Sequence, residues 1–240
     1  MPEPLLARFG IQPDSFCDAA GNSLLTIRAA QDTSSAEIEL RHAIEAPDPL
    51  AYLHVADTVS RQITVLLFVI NDPAAPRFDV DRLPDGTKTH FGTETRNIPA
   101  EVAAMQAGLA PGQVRRGLRL LPQAAASFEF FVKTLGHDLY LVEPLAYHVA
   151  IVLERYGFKY QQGRRRMQDI HARFGPGGDL QARLDRSSPF RQPGAERSIR
   201  GRSWAIHDGL LGEPFTGLRM YRQLGPAAGA PGPTFPEAQW

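Results

Sequence analysis

The side chains able to do chemistry gather in the second half of this 240-residue chain. In "RGRSWAIHDG" (200–209), Trp204, His207 and Asp208 lie close together. A histidine beside an aspartate supplies the types needed for a base and its orienting carboxylate. The alternation of the stretch predicts a strand and turn. That would send Trp204, Ile206 and Asp208 to one face and Ala205 and His207 to the other, so adjacency alone makes no dyad. A second group lies in "EPLAYH" (143–148). His148 is a candidate general base and Tyr147 a candidate proton donor. Glu143 falls between a strand end and a helix start, where sites form in α/β folds; it equally suits a helix cap. Arg164, Arg165 and Arg166 open a predicted helix, where cations oppose the dipole unless an anion binds there.

Other chemistries find little footing. The seven histidines show no H-x-x-x-H or H-E-x-x-H spacing. "DVDRLPDG" places Asp79, Asp81 and Asp85 near Gly86 but lacks the ligand spacing and closing glutamate of a calcium loop. No metal is therefore expected. Walker, G-x-S-x-G and dinucleotide fingerprints are absent. Basic residues are not interleaved with aromatics, so no nucleic-acid partner is expected. Cys17 is the single cysteine, which excludes an internal disulfide framework and makes a reducing cytoplasm the default. No apolar run is long enough for a transmembrane helix, so no membrane partner is expected. The opening "MPEPLLARFG" does not read as a signal peptide. Formal charge is zero overall but uneven. Residues 1–110 carry 8 basic and 15 acidic side chains, and residues 111–222 carry 18 and 10. The basic half suits an anionic ligand, and equally a solvated or mutually attracting surface.

The elements that must hold these residues read as a mixed α/β fold, class α+β: a mostly antiparallel sheet flanked by helices. Residues 1–97 form a β-rich half. "NSLLTIRAAQ", "SAEIELRHAI", "LAYLHVAD" and "RQITVLLFVI" are strands between turn-rich breaks. The continuous apolar run Ile63–Ile70 reads as a central strand, and "PRFDVD" as one more. Residues 98–224 alternate helices and strands. Helices are predicted over Ile98–Ala107, from Gln113, and from Pro122, with Phe128, Phe131, Val132 and Leu135 as the apolar stripe of the last. Leu139–Val142 is a short strand. The next helix, opened by Pro144, should bury Val149, Val152, Leu153 and Tyr156, leave His148 off the stripe, and stop at Gly157 with Phe158 folded back. An insertion over 159–202 contains the helix "RRRMQDIHARF", and "TGLRMYRQL" returns as a strand. The segment 225–240 is low-complexity and expected to be mobile unless Trp240 docks.

The order helix, strand, helix ending in "LERYGF" (153–158), then a closing strand with "MYR" (220–222), resembles the C-terminal half of the GNAT superfamily of N-acetyltransferases. The resemblance implies a GNAT-like core and an acetyl-CoA or other acyl-CoA co-substrate. It implies acyl transfer to a small-molecule amine, with coenzyme phosphates held by Arg115, Arg116, Gly117, Leu118 and Arg119. His148, Glu143, Tyr147 and His207 are then the candidates for proton transfer. Val114 stands where the family's loop carries Gln or Arg, Arg119 where it carries a small residue, and Leu153 where it often carries a general-acid tyrosine. Those departures suit the rival reading, a GNAT-shaped protein that binds a ligand or a partner without catalysis. A homo-oligomer is compatible with either.

Overall fold

The computed structural model describes residues 3–90, 95–225, 234–236 and 239–240. In chain order the elements are α1 (Glu3–Arg8), β1 (Leu25–Arg28), β2 (Ser35–Leu40), β3 (Ala51–Asp57), β4 (Ile63–Ile70), α2 (Ile98–Gln106) and α3 (Leu121–Thr134). They continue with β5 (Leu139–Val142), α4 (Tyr147–Arg155), β6 (Lys159–Gln162), α5 (Arg164–Arg173), α6 (Asp179–Ala182), α7 (Ile199–His207) and β7 (Arg219–Gln223). The strands form a mostly antiparallel sheet in the order β1-β2-β3-β4-β5-β7-β6. The fold is α+β, as the sequence predicts. The chain divides into two compact units.

The first unit comprises residues 1–76, 116–143 and 221–227. β1 to β4 pair as an antiparallel meander, with Ile27 opposite Ile38 and Ile38 opposite Leu53. His54 faces Leu67 while Val55 faces Val65, so Leu66 is the extra residue of a bulge in β4. Ile63 to Val65 are buried and the rest of β4 is half-buried, so the strand is central without being covered along its whole length. Leu6, Ile11, Leu24, Leu40 and Leu50 form the core beside it. α3 starts with Pro122 in its first turn, where a missing amide costs no helical bond. Its packed face is half of the predicted stripe. Val132 is buried and Phe128 meets Tyr140 edge to face at 5.0 Å, while Phe131 and Leu135 are exposed. The Arg222 Nε–H to Glu129 carboxylate bond of 3.0 Å lies near this contact and favours the turn that holds Phe128 and Glu129.

The second unit comprises residues 77–115, 144–220 and 228–240. Its core includes Val80, Ala104, Leu109, Phe190 and Trp204. Two elements expected from the sequence are not formed. "PRFDVD" is irregular, because Phe78 N–H goes to Val114 O and Val80 N–H turns back to Phe78 O. No helix starts at Gln113, where Gly112 takes φ +78° and the following carbonyls serve loop contacts. α4 is rotated from its expected face. Tyr147, His148, Ala150, Ile151 and Leu153 are buried, Val149 and Val152 half-buried, and Tyr156 exposed. Its end is as predicted. Gly157 takes φ +79°, Gly157 N–H bonds Glu154 O, and Phe158 N–H bonds Leu153 O, a Schellman closure.

The largest departure is α7. The stretch expected as strand and turn is a helix, capped by Ser198, whose side chain accepts from Gly201 N–H. Much of the predicted mobile segment lies outside the described residues. Residues 239 and 240 dock on α7: Ile199 N–H bonds Gln239 O at 2.9 Å, and the Arg200 guanidinium stands over the Trp240 ring. Among the described residues no helix is long and apolar enough to cross a membrane.

Candidate functional site

In the first unit the backbone rather than the side chains shapes a candidate site. β5 runs parallel to β4, and their ladder holds two pairs, Thr64 with Leu141 and Val65 with Val142. β4 then runs on to Ile70 without β5 beside it. At its end the segment Arg116–Arg119 crosses, tied by Asp72 N–H to Arg116 O at 2.9 Å. Gly117 lies so close that a Cβ there would meet Ile70 O at 2.9 Å, so a side chain is excluded by contact with backbone. Leu118 anchors the loop in the core beside α1 and β2. Arg116 and Arg119 are exposed, and Arg119 adopts a left-handed φ of +58°. α3 follows at once, with no side-chain cap and no acidic residue in its first turn. Cations near uncapped amides at a helix start form an electropositive corner suited to an oxyanion. Glu143 leaves the end of β5, half-buried.

The second unit handles charge in the opposite way. Glu101, in the first turn of α2, has a side chain only 3% exposed. Arg96 Nη2 donates to it at 2.5 Å, and His207 Nε2 lies 3.4 Å away. Arg96 Nη1 also donates to Asp208 at 2.7 Å, and Asp208 accepts from Ser188 Oγ at 2.6 Å and Arg191 Nε at 2.8 Å. Burial alone would raise the Glu101 carboxyl, but hydrogen bonds from His207 and Arg96 outweigh it and hold the group below its usual value. Asp208 is likewise lowered, since bonds from Ser188 and Arg96 overcome its burial. The Arg96 guanidinium stacks over Phe190, itself stacked on Trp204, whose indole N–H donates to Leu109 O at 2.9 Å. His207 and Asp208 are thus members of one ion network rather than a dyad of neighbours.

His148 lies inside the same unit, 7% exposed, with Nδ1 and Ser203 Oγ sharing a hydrogen bond of 2.8 Å. Burial pushes its pKa down to about 4, helped by the positive potential of His207, so the ring is neutral. A histidine and a serine in this contact have the types of a base and a nucleophile. Ser203 is 1% exposed in the middle of α7, however, which keeps its hydroxyl from any bulky substrate. Tyr147 is buried too, its hydroxyl accepting from Arg202 Nη1 at 3.4 Å, and burial raises its pKa.

Of the residues singled out from the sequence, His148, Tyr147, His207 and Arg115 belong to the second unit. Glu143, Arg116, Gly117, Leu118 and Arg119 belong to the first. Arg164 and Arg165 are exposed at the start of α5, and Arg166 is engaged by Pro214 O and Glu213. Asp79 and Asp81 are both held by Arg77, and no group of side chains among the described residues could hold a metal ion. Glu101, Arg96, Ser203 and Arg202 also belong to these clusters, though none of them carries a recognised motif. The signal was the helical period: in "IRGRSWAIH" Ser203 and His207 are four apart, on one helix face. No protein-family model matches the chain, and neither a curated protein nor a solved structure matches it.

Proposed function

We propose that the chain is an acyl-CoA-dependent N-acyltransferase with a GNAT-like core, the coenzyme lying along β4 and turning its phosphates to the Arg116–Arg119 loop. The observation that carries this reading is the continuation of β4 past its ladder with β5, ending under a side-chain-free Gly117. A strand edge released from its ladder offers amide donors and carbonyl acceptors at strand spacing, and the amides of a pantetheine arm are their natural complement. The electropositive start of α3 then meets the pyrophosphate. The succession of that loop, α3, β5, α4 closed by Gly157 and Phe158, and β7 carrying Met220, Tyr221 and Arg222 also follows the order the family resemblance requires.

In the reaction the amine nitrogen attacks the thioester carbonyl carbon. The C–N bond forms, the C–S bond breaks, and the amine proton passes to the departing sulfur. A neutral His148 hydrogen-bonded to Ser203 is a weak proton acceptor, so the reading rests on positioning of the two substrates rather than on that base.

One set of observations favours the rival reading, a ligand-binding protein of the same shape. Leu153 is buried where a general-acid tyrosine is often found, and the expected base is consumed internally. Incubation with acetyl-CoA and a panel of primary amines, followed by free thiol release, separates the two. Amine-dependent thiol release supports transfer. Binding of coenzyme A without release under any amine supports the ligand-binding protein.

A further inference from the structure

Among the described residues, Arg202 is a buried cation with no ion-pair partner. The residue is 4% exposed, yet no carboxylate among the described residues pairs with it. Its Nε donates to Glu196 O at 2.6 Å, and its Nη1 donates to Tyr147 Oη at 3.4 Å and His171 Nδ1 at 3.1 Å. Since arginine only donates, His171 carries its proton on Nε2. Nη2 donates to no group among the described residues. The flat faces of the guanidinium meet two rings, Phe174 at 4.9 Å and Phe235 at 3.5 Å from their centroids. Such rings offset part of the cost of desolvating a cation, but they supply no acceptor for its N–H groups.

The two rings differ in how they are held. Phe174 ends α5 and is 1% exposed within the unit's interior. Phe235 arrives on the segment 234–236 and is secured by Thr234, whose N–H and hydroxyl both donate to the Glu154 carboxylate. Its ring also lies 5.0 Å from that of His171. Phe235 is therefore an aromatic body delivered onto a guanidinium whose Nη2 donors meet no acceptor among the described residues.

We propose that Arg202 is the centre of a binding site for a small monocarboxylate with an aromatic or flat apolar body, and that Phe235 occupies the place of that body in the ligand-free chain. The carboxylate takes the Nη2 donors, and the ligand's ring replaces Phe235 against the guanidinium. Tyr147 and His171 fix the orientation of the fork. One cation with aromatic walls matches a single negative charge; a phosphate dianion would be left undercompensated. This inference is independent of the acyl-transfer reading, since it uses residues of the second unit alone.

The test is calorimetric titration of the full chain and of Phe235→Ala with phenylacetate, phenylacetamide and inorganic phosphate. Phe235→Ala is expected to bind phenylacetate more tightly than the unaltered chain. It should prefer phenylacetate to the neutral amide by about tenfold or more, as one charge-assisted hydrogen bond dictates. Adding Arg202→Gln should abolish that preference. If Phe235→Ala does not fold, Phe235→Leu keeps the apolar volume and lacks the aromatic face. If Arg202→Gln does not fold, the acid-to-amide comparison decides alone. Equal binding of acid and amide, a preference that survives Arg202→Gln, phosphate binding as tight as phenylacetate, or no binding by a folded Phe235 variant would each overturn the proposal.

Discussion

The loop Arg116–Arg119 and the network around Glu101 use the same residue types to opposite ends. In the first unit two arginines stay exposed beside an uncapped helix start, and the close approach is made by backbone, Gly117 against Ile70 O. In the second unit one set of arginines, acids and histidines is drawn inward and paired: Arg96 with Glu101 and Asp208, Arg191 with Asp208, His148 with Ser203. A side chain already spent on an internal partner holds structure, and chemistry on an outside molecule requires donors still free to give. By that measure the conspicuous His207 and Asp208 are chiefly structural, and the plain-looking glycine loop is the better place for a ligand.

The contrast breaks first at Glu101. Removing one partner of a buried charge pair leaves the other desolvated, at about 3 kcal/mol or more. Glu101→Gln should therefore strongly lower the denaturant midpoint. The two tryptophans, Trp204 and Trp240, both lie in the second unit, so their emission reports the loss there. A change below 1 kcal/mol would mean that the network is not what holds α2 to α7.

Acidification is the next largest lever. His148 has its pKa lowered from 6.5 to about 4 in the folded chain, so the unfolded chain binds the extra proton. Its contribution is complete above about pH 6.5 and is lost as the pH falls toward 4, amounting to roughly 3 kcal/mol. Stability of His148→Gln, followed by denaturant titration over that window, should be flatter with pH than that of the unaltered chain. An unchanged slope would place the acid sensitivity elsewhere.

Gly117→Ala has the smallest effect on folding and the sharpest on the proposed site. Its methyl would push on Ile70 O, costing on the order of 1 kcal/mol through displacement of the loop. Coenzyme A affinity should fall by more than this stability change accounts for, as judged by titration beside a melt.

Much of this fold is legible in the residues. The β4 run, Pro122 in the first turn of α3 and the Gly157 stop each carry a local signal that matches their place. α7 does not. "SWAIH" alternates like a strand, and Gly201 weakens any helical reading, yet a Cβ at Gly201 would meet Ala195 O at 2.4 Å. That glycine serves a tertiary contact which no window of sequence displays, and Ser198, whose side chain caps Gly201, was the overlooked start signal. The face of α4 is a similar case. Burial of His148 depends on Ser203 arriving from a distant segment, and a lone histidine gives no sign of such a partner. For the candidate loop, Gly117 stood out by resemblance, but its physical reason, the approach to Ile70 O, is visible only once β4 and the loop are side by side.

The central claim is that the Gly117 loop and the free length of β4 hold coenzyme A. Calorimetric titration of coenzyme A into the unaltered chain and into Arg119→Gly tests it most directly. Saturable binding, altered by Arg119→Gly, is the predicted result. At a coenzyme concentration about 100 times the dissociation constant, it should raise the unfolding free energy by about 2.7 kcal/mol. No binding heat and no shift in the melt for either chain would contradict the claim and remove the acyltransferase reading with it.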